Sequence, residues 1–415
     1  MTKLASVSKS VAALTTNVLV VGGSFGGMAS IVSLKASLKE NKPKSRVSVT
    51  LVEPKAGFLN VLGVPRAIVD PTFATTQYVP IEQYSAFQFD RLVSDDEYVL
   101  KSAGQKIDPE ANEDIELTYV QGSITKLSKN VAEYQLNNGT GGTDKIKFDY
   151  CVLAAGRNRT WPTSPDALNA ENYLKEMKDF NSQVKKCNKI AVVGAGAVGI
   201  EIAGDIKTKH QDKEVMLIHP HPTFPPEQLT DEFKKAVRES LERADVKVMT
   251  GLRVKRELDN HNLELTNGDI IEADFTYWCN SFKNNTTLLD EELSKYISPK
   301  NNIFTNSYFQ LHHPETKESV DNIFSVGDMV EFPVIKTAGW AISMGRATGK
   351  NLSGLLVDGK LVEEYPGDRS NAMLLVCGNE DIVSEVGGNV EINNPNYVEQ
   401  YKTYRFKTVR GTLGI

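Results

Sequence analysis

Cysteine is scarce, with four in 415 residues: Cys151, Cys187, Cys279 and Cys377, all far apart in the chain. None forms a C-x-x-C pair, so spacing offers neither a redox-active dithiol nor a zinc site, and no metal is expected. Cys151, inside the apolar run Tyr150-Cys151-Val152-Leu153, reads as a buried, inert thiol. A chain of this length needs no disulfide staples, which fits a reducing compartment. No apolar run approaches the roughly 20 residues of a membrane-spanning helix. Position 2 is Thr2, not glycine, which excludes N-myristoylation. A net charge of −6 and no strongly basic balance argue against a dedicated nucleic-acid binder. Residues 1–16 carry Lys3 and Lys9 but no acid and no arginine, so they read either as a weak organelle-targeting segment or as a short tail.

What is present is glycine in two particular places. Asn17-Val18-Leu19-Val20-Val21 is a β-rich run that meets Gly22-Gly23-Ser24-Phe25-Gly26-Gly27, and a helical pattern follows to about Leu38. The next strand, Val47 to Val52, ends at Glu53. That is the β-α-β-acid order of a dinucleotide fold. Gly22 permits the tight turn, Gly27 allows close helix–strand packing, and the helix N-terminus offers amides to a pyrophosphate. Glu53 is placed to accept from the adenosine ribose. Two departures stand out: Ser24 replaces the middle glycine, and the acid comes about 30 residues after the first glycine, where roughly 20 is typical.

The second copy matches in full: Lys189-Ile190-Ala191-Val192-Val193 leads to Gly194, Gly196 and Gly199, then a helix to about His210 and a strand from Glu214 to Ile218. This strand ends in His219 and not in an acid, so nothing there repels a 2′-phosphate; either NADH or NADPH is admitted. His219 reads equally well as a phosphate contact and as a loop residue with no cofactor role. The two fingerprints lie about 170 residues apart. One nicotinamide enzyme needs only one, and a chain with both is expected to be an FAD protein with an inserted NAD(P) domain.

Three further segments fit that expectation. Asp149 to Arg157 is a strand entering the small-residue turn Ala154-Ala155-Gly156, followed by a Pro-punctuated crossover at Trp161-Pro162. Asn322-Ile323-Phe324-Ser325-Val326 ends in Gly327 and Asp328, where a carboxylate can accept from the ribityl chain of FAD. Lys336, Thr337 and Ala338 then open a helix over about 338–357, with Trp340 readable as a ring neighbour or as a buried helix residue.

The sequence from about 17 to 415 resembles the apoptosis-inducing-factor-like branch of type II NADH dehydrogenases, the group that contains ferroptosis suppressor protein. The resemblance is carried by the first glycine turn, Pro65-Arg66-Ala67, Gly199-Ile200-Glu201-Ile202-Ala203, Ile206-Lys207-Thr208, Leu217-Ile218-His219, Val326-Gly327-Asp328 and the C-terminal Phe406-Lys407-Thr408-Val409-Arg410. It implies FAD-dependent oxidation of NADH or NADPH with a quinone of ubiquinone or naphthoquinone type as acceptor. It also adds Arg66 to the cofactor-contacting set and marks Glu201 and Lys407 as candidate catalytic residues. On the residues alone, Glu201 is equally a favourable charge in the first helical turn. Lys407 is equally part of a solvated basic tail, with Lys402, Arg405 and Arg410, or of a patch for anionic lipid.

The fold class expected is therefore α/β: two Rossmann-like dinucleotide-binding domains in a glutathione-reductase-like arrangement, with a small C-terminal α+β segment. The boundaries expected are 12–159 and 285–360 for the FAD domain, 160–284 for the inserted NAD(P) domain, and 361–415 for the C-terminal segment beside the flavin or acceptor site. Two other readings compete: a reductase of a ferredoxin-type protein, and a low-turnover flavin-binding signalling or nucleic-acid-binding protein. A monomer or homodimer is expected. The expected place is the cytoplasm, with peripheral membrane contact through the basic C-terminal tail, and the mitochondrion is the alternative.

Overall fold

A computed structural model describes residues 15–84, 88–103, 115–139, 141–159, 164–365 and 371–415, with backbone alone at 281 and 282. The N-terminal segment up to residue 14 and the Trp161-Pro162 crossover lie outside the described residues; Thr15 and Thr16 already belong to the first strand.

Strand β1 (Thr15–Val21) leads into helix α1 (Phe25–Glu40) and strand β2 (Arg46–Glu53). Val18 to Val21 are all buried, the continuous apolar run of a strand covered on both faces. Strand β3 (Ile115–Leu127) and strand β4 (Tyr150–Leu153) complete the first half. The inserted domain is built from helix α2 (Ala170–Lys186), strand β5 (Lys189–Val193), helix α3 (Ala197–Lys209), strand β6 (Glu214–His219), helix α4 (Asp231–Arg243), strand β7 (Lys247–Thr250) and strand β8 (Phe275–Trp278). The chain then returns to strand β9 (Ser319–Ser325) and helix α5 (Ala338–Val357). It ends with strands β10 (Ala372–Val376), β11 (Ile382–Val386) and β12 (Asn389–Ile392) and helices α6 (Pro395–Tyr401) and α7 (Phe406–Leu413).

In the first sheet β1 lies between β2 and β4, all parallel, with β9 beyond β4 and β3 beyond β2. The chain thus reverses its direction of winding at β1, and the crevice above the strand ends there is where an open α/β sheet binds ligands. The far end of β3 pairs antiparallel with Val131–Leu136, and that strand with Thr143–Lys147. The second sheet is wholly parallel in the order β7-β6-β5-β8. The two passages between the domains run side by side: Arg157–Arg159 pairs antiparallel with Ser281–Asn284.

The C-terminal segment joins both domains. Its antiparallel sheet β10-β11-β12 packs on α3 and α4, where Met373, Leu375 and Val383 share one core with Ile202, Ile206 and Val237. Helix α7 packs instead on the first domain, placing Phe406, Val409 and Leu413 in the core with Met28 and Leu34. Tyr404 to Val409 reads as a strand in sequence, and here the structure differs. Phe406, Val409 and Leu413 repeat at helical spacing while Lys407, Thr408 and Arg410 are exposed, a 3.6-residue period hidden by the shortness of the run.

Candidate functional site

The first glycine turn is held by three parts of the chain. Gly22 has φ +100°, a conformation that L side chains rarely adopt, and its amide donates to the Val52 carbonyl at 2.9 Å. A Cβ at Gly27 would fall far inside 3.0 Å of the Gly22 carbonyl oxygen, and one at Gly22 would do the same to Ala154. Helix α1, β1 and the Ala154-Ala155-Gly156 turn therefore meet with no room for side chains. Ser24 is the N-cap of α1, yet its side chain makes no capping bond, so the first-turn amides stay open to an anion. Glu53 accepts from the Gly23 amide at 2.6 Å and from the Lys55 amide at 2.9 Å. Burial pushes its carboxyl up, and those amide bonds and the Lys55 ammonium oppose the push. Phe25 is buried edge-on against Phe58, with ring centroids 5.3 Å apart.

The second turn repeats the design. Gly194 has φ +111° and donates to the Ile218 carbonyl at 2.9 Å. A Cβ at Gly199 would overlap the Gly194 carbonyl oxygen, and one at Gly194 would press on the Cys279 carbonyl. Cys279-Asn280, at the end of β8, thus plays the part that Ala154-Ala155 plays in the first domain. Sequence reading missed this pair because nothing marks it beyond its place after a strand. Gly196 caps α3 with no side chain and faces open space. His219 is 6% exposed, and its Nδ1 accepts from the Ala195 amide at 3.2 Å. The ring proton therefore sits on Nε2, which is buried without a partner among the described residues. Burial, aided by His221 and Arg253, holds the imidazole below its ordinary value, hence neutral.

Helix α5 is drawn to the first turn by glycine contacts: a Cβ at Gly345 would overlap the Gly26 carbonyl, and one at Gly349 the Ser30 carbonyl. That crossing brings the Ala341 carbonyl beside Gly26, and Lys336, Thr337 and Ala338 lead into the same helix start. Thr337 caps the helix, accepting from the Trp340 amide at 3.3 Å. Lys336 donates through Nζ to the Val330 carbonyl, and burial pushes its amine down to about 8, with Arg157 adding to the effect and Asp328 and Glu331 opposing it. Gly327 (φ +77°) has only Ala341 near it and Gly156 faces open space. Asp328 is gripped by Arg159 at 3.3 Å and Arg157 at 3.7 Å. The carbonyl of Ala155 accepts from Asn285 Nδ2 at 2.8 Å. Arg159 was not singled out by sequence, although Arg157-Asn158-Arg159 directly after a small-residue turn is a legible basic pair. Trp340 packs edge-on to Tyr365, 6.2 Å between centroids.

Glu201 and Arg66 belong to a different group. On α3, Glu201 and Asp205 lie one turn apart on the same face, 8% and 1% exposed, beneath the end of β10. Arg66, expected at a cofactor, sends Nε (3.0 Å) and Nη2 (2.9 Å) to Asp205 Oδ1, and Nη1 lies 3.6 Å from Glu380. The Tyr404 hydroxyl donates to the other Asp205 oxygen. The guanidinium lies over the rings of Phe73 and Tyr404, at 5.9 and 5.2 Å. Lys407 is exposed in the first turn of α7, three residues after Tyr404, with Glu399 as an acid within its field.

The geometry thus comprises two helix starts with no side-chain cap behind two glycine turns, each able to cradle a dinucleotide phosphate. Comparison with known proteins agrees. The sequence profile described as pyridine nucleotide-disulphide oxidoreductase matches residues 16–345. The chain is 28% identical over 383 residues to Oxidoreductase OXR1 of Ajellomyces capsulatus, covering 84% of this chain and 75% of that one. It is 22% identical over 384 residues to ferroptosis suppressor protein 1 of Xenopus tropicalis, covering 90% and 89%. Among solved structures, a NAD-dependent persulfide reductase from A. fulgidus superposes with a TM-score of 0.65 at 19% identity. That match covers 90% of this chain and spans 64% of the other.

Proposed function

This chain belongs to the pyridine nucleotide-disulphide oxidoreductase family, whose members use FAD and NAD(P)H, and on that premise we propose that it passes electrons from NAD(P)H to a quinone. When bound, FAD would supply the redox chemistry, hydride acceptance and electron donation. The protein's own share is to bind, orient and exclude water.

Gly22 to Gly27 and the open first turn of α1 hold the FAD pyrophosphate, Glu53 the adenosine ribose, and Asp328 the ribityl hydroxyls, with Arg157 and Arg159 fixing that carboxylate. Gly194, Gly196 and Gly199 hold the nicotinamide dinucleotide. His219 is neutral there and brings no negative charge, so the site accepts NADH and NADPH alike. Glu201, just past the first turn of α3, would stand beside the nicotinamide end of that ligand.

The observation that carries the quinone reading is the state of the thiols. All four cysteines are free, and Cys151, Cys187 and Cys377 are buried; burial holds Cys151 and Cys279 well above their ordinary value as well. No protein dithiol relay is on offer, which supports transfer from the flavin directly to the acceptor. The resemblance to the ferroptosis suppressor group supports a quinone in that role. Steady-state oxidation of NADH and NADPH across soluble ubiquinone and naphthoquinone analogues tests it. Turnover should rise at least about tenfold over the oxygen background; equal rates with and without every quinone would end the proposal.

Lys336 gives a pH-dependent prediction. Its amine is lowered from 10.5 to about 8, so the folded protein bears a penalty while the amine is charged, below about pH 8. The penalty lifts as pH rises from about 8 toward 10.5. An anionic FAD reverses the preference and recruits the charged form. FAD affinity for apoprotein should hence fall as pH rises past 8, roughly tenfold per unit, and Lys336→Met should flatten the profile. Flavin-fluorescence titrations at pH 7 and 9 read this directly.

A further inference from the structure

We infer that Arg66, Asp205 and Tyr404 form a positioning device that keeps Glu201 uncharged, so that the second glycine site does not hold the cationic, oxidised nicotinamide too tightly. The inference rests on the reading above, that Glu201 stands beside the nicotinamide.

Two carboxyl groups one helical turn apart and both out of water cannot both ionise at modest cost. The structure shows which of them keeps the charge. Asp205 has a guanidinium on one oxygen through two nitrogens and a phenol on the other. Glu201 accepts from the Val376 amide, which favours its charged form, but has no cation or phenol bonded to it as Asp205 does; the other groups facing it are Asp205 on its own helix, Arg66 from the first domain, Cys377 at the end of β10, and Tyr401 and Tyr404 from the C-terminal segment. Burial holds that thiol and both phenols far above their ordinary values, so they stay neutral and only Arg66 and Asp205 carry charge. These two cancel within one buried pair. Burial, with Asp205 second, raises Glu201 well above the usual carboxylate range. Burial also raises Asp205, but there Arg66 and Tyr404 oppose it, so the shared proton resides on Glu201.

The consequence follows from the ligand's charge. Reduced nicotinamide is neutral at the ring and the oxidised ring carries a positive charge. A carboxylate alongside would favour the product and retard its release; a neutral acid does not.

Replacing Asp205 tests this without relying on turnover. In Asp205→Asn the like charge is gone and Arg66 remains, so the Glu201 carboxyl moves down toward its ordinary range and gains charge as pH rises. Calorimetric titration with NAD+ and NADP+ should show the dissociation constant nearly pH-independent in the wild type. In Asp205→Asn binding should tighten by about tenfold between pH 6 and 8.5. Glu201→Gln added to Asp205→Asn should abolish that slope. Tyr404→Phe, which removes one donor at nearly constant volume, should give a weaker slope of the same sign and serves if Asp205→Asn folds poorly. A purely structural role would lower thermal stability and leave the profiles parallel to the wild type. Parallel profiles, or a slope that survives in the double variant, would overturn the inference. Glu201→Ala binding both redox forms as the wild type does would instead remove the reading beneath it.

Discussion

Gly199→Ala should purify yellow yet resist reduction by NAD(P)H, whereas Gly27→Ala should emerge without flavin. Each new methyl would fall far inside 3.0 Å of a carbonyl oxygen, that of Gly194 in one case and Gly22 in the other. Backbone cannot yield there as a flexible side chain would. The helix start must instead move off the turn, withdrawing the amides that face the phosphates. Forced overpacking typically costs about 1–3 kcal/mol, which is about fivefold to more than a hundredfold in dinucleotide affinity. The two elbows sit in different sheets, so the two losses should be separable. Visible spectra of the purified proteins report the flavin, and anaerobic mixing with NAD(P)H reports its reduction. Loss of both properties in both variants would mean that the elbows do not bind separate ligands.

Arg66→Ala should be the most destabilising single change outside the elbows. The Arg66–Asp205 pair is 8% and 1% exposed, and deleting one member of such a pair leaves a buried charge, at a cost of about 3–5 kcal/mol. The pair also joins the first domain to α3, and through Tyr404 to the C-terminal segment. A fall of the thermal midpoint of about 3–6 °C is expected for a chain of this size. Arg66→Lys keeps the charge but not the two-nitrogen grip, and should lose less. By contrast, an exposed pair such as Lys235–Glu239, at 77% and 50% exposure, should contribute under about 1 kcal/mol. A midpoint for Arg66→Ala within a degree of the wild type would show that the pair holds nothing together.

The sequence alone determined the parts of this protein that depend on neighbours in the chain. The glycine turns, the strands that enter them, the helix Ala338–Val357 and the β-α-β order are set by backbone sterics and by periodicity within a few residues. Short-range rules also placed Glu53 and His219 at strand ends, although neither showed that they would grip the Gly23 and Ala195 amides. Tertiary structure decided the rest. Arg66 and Asp205 are 139 positions apart, Tyr404 and Asp205 199, and no local pattern encodes which of several arginines meets which acid. Only the closing of the C-terminal segment over α3 buries that acid and creates the choice of where its proton goes. The tail helix is illegible in the sequence for the same reason: three apolar residues declare a period only once a surface exists for them to face.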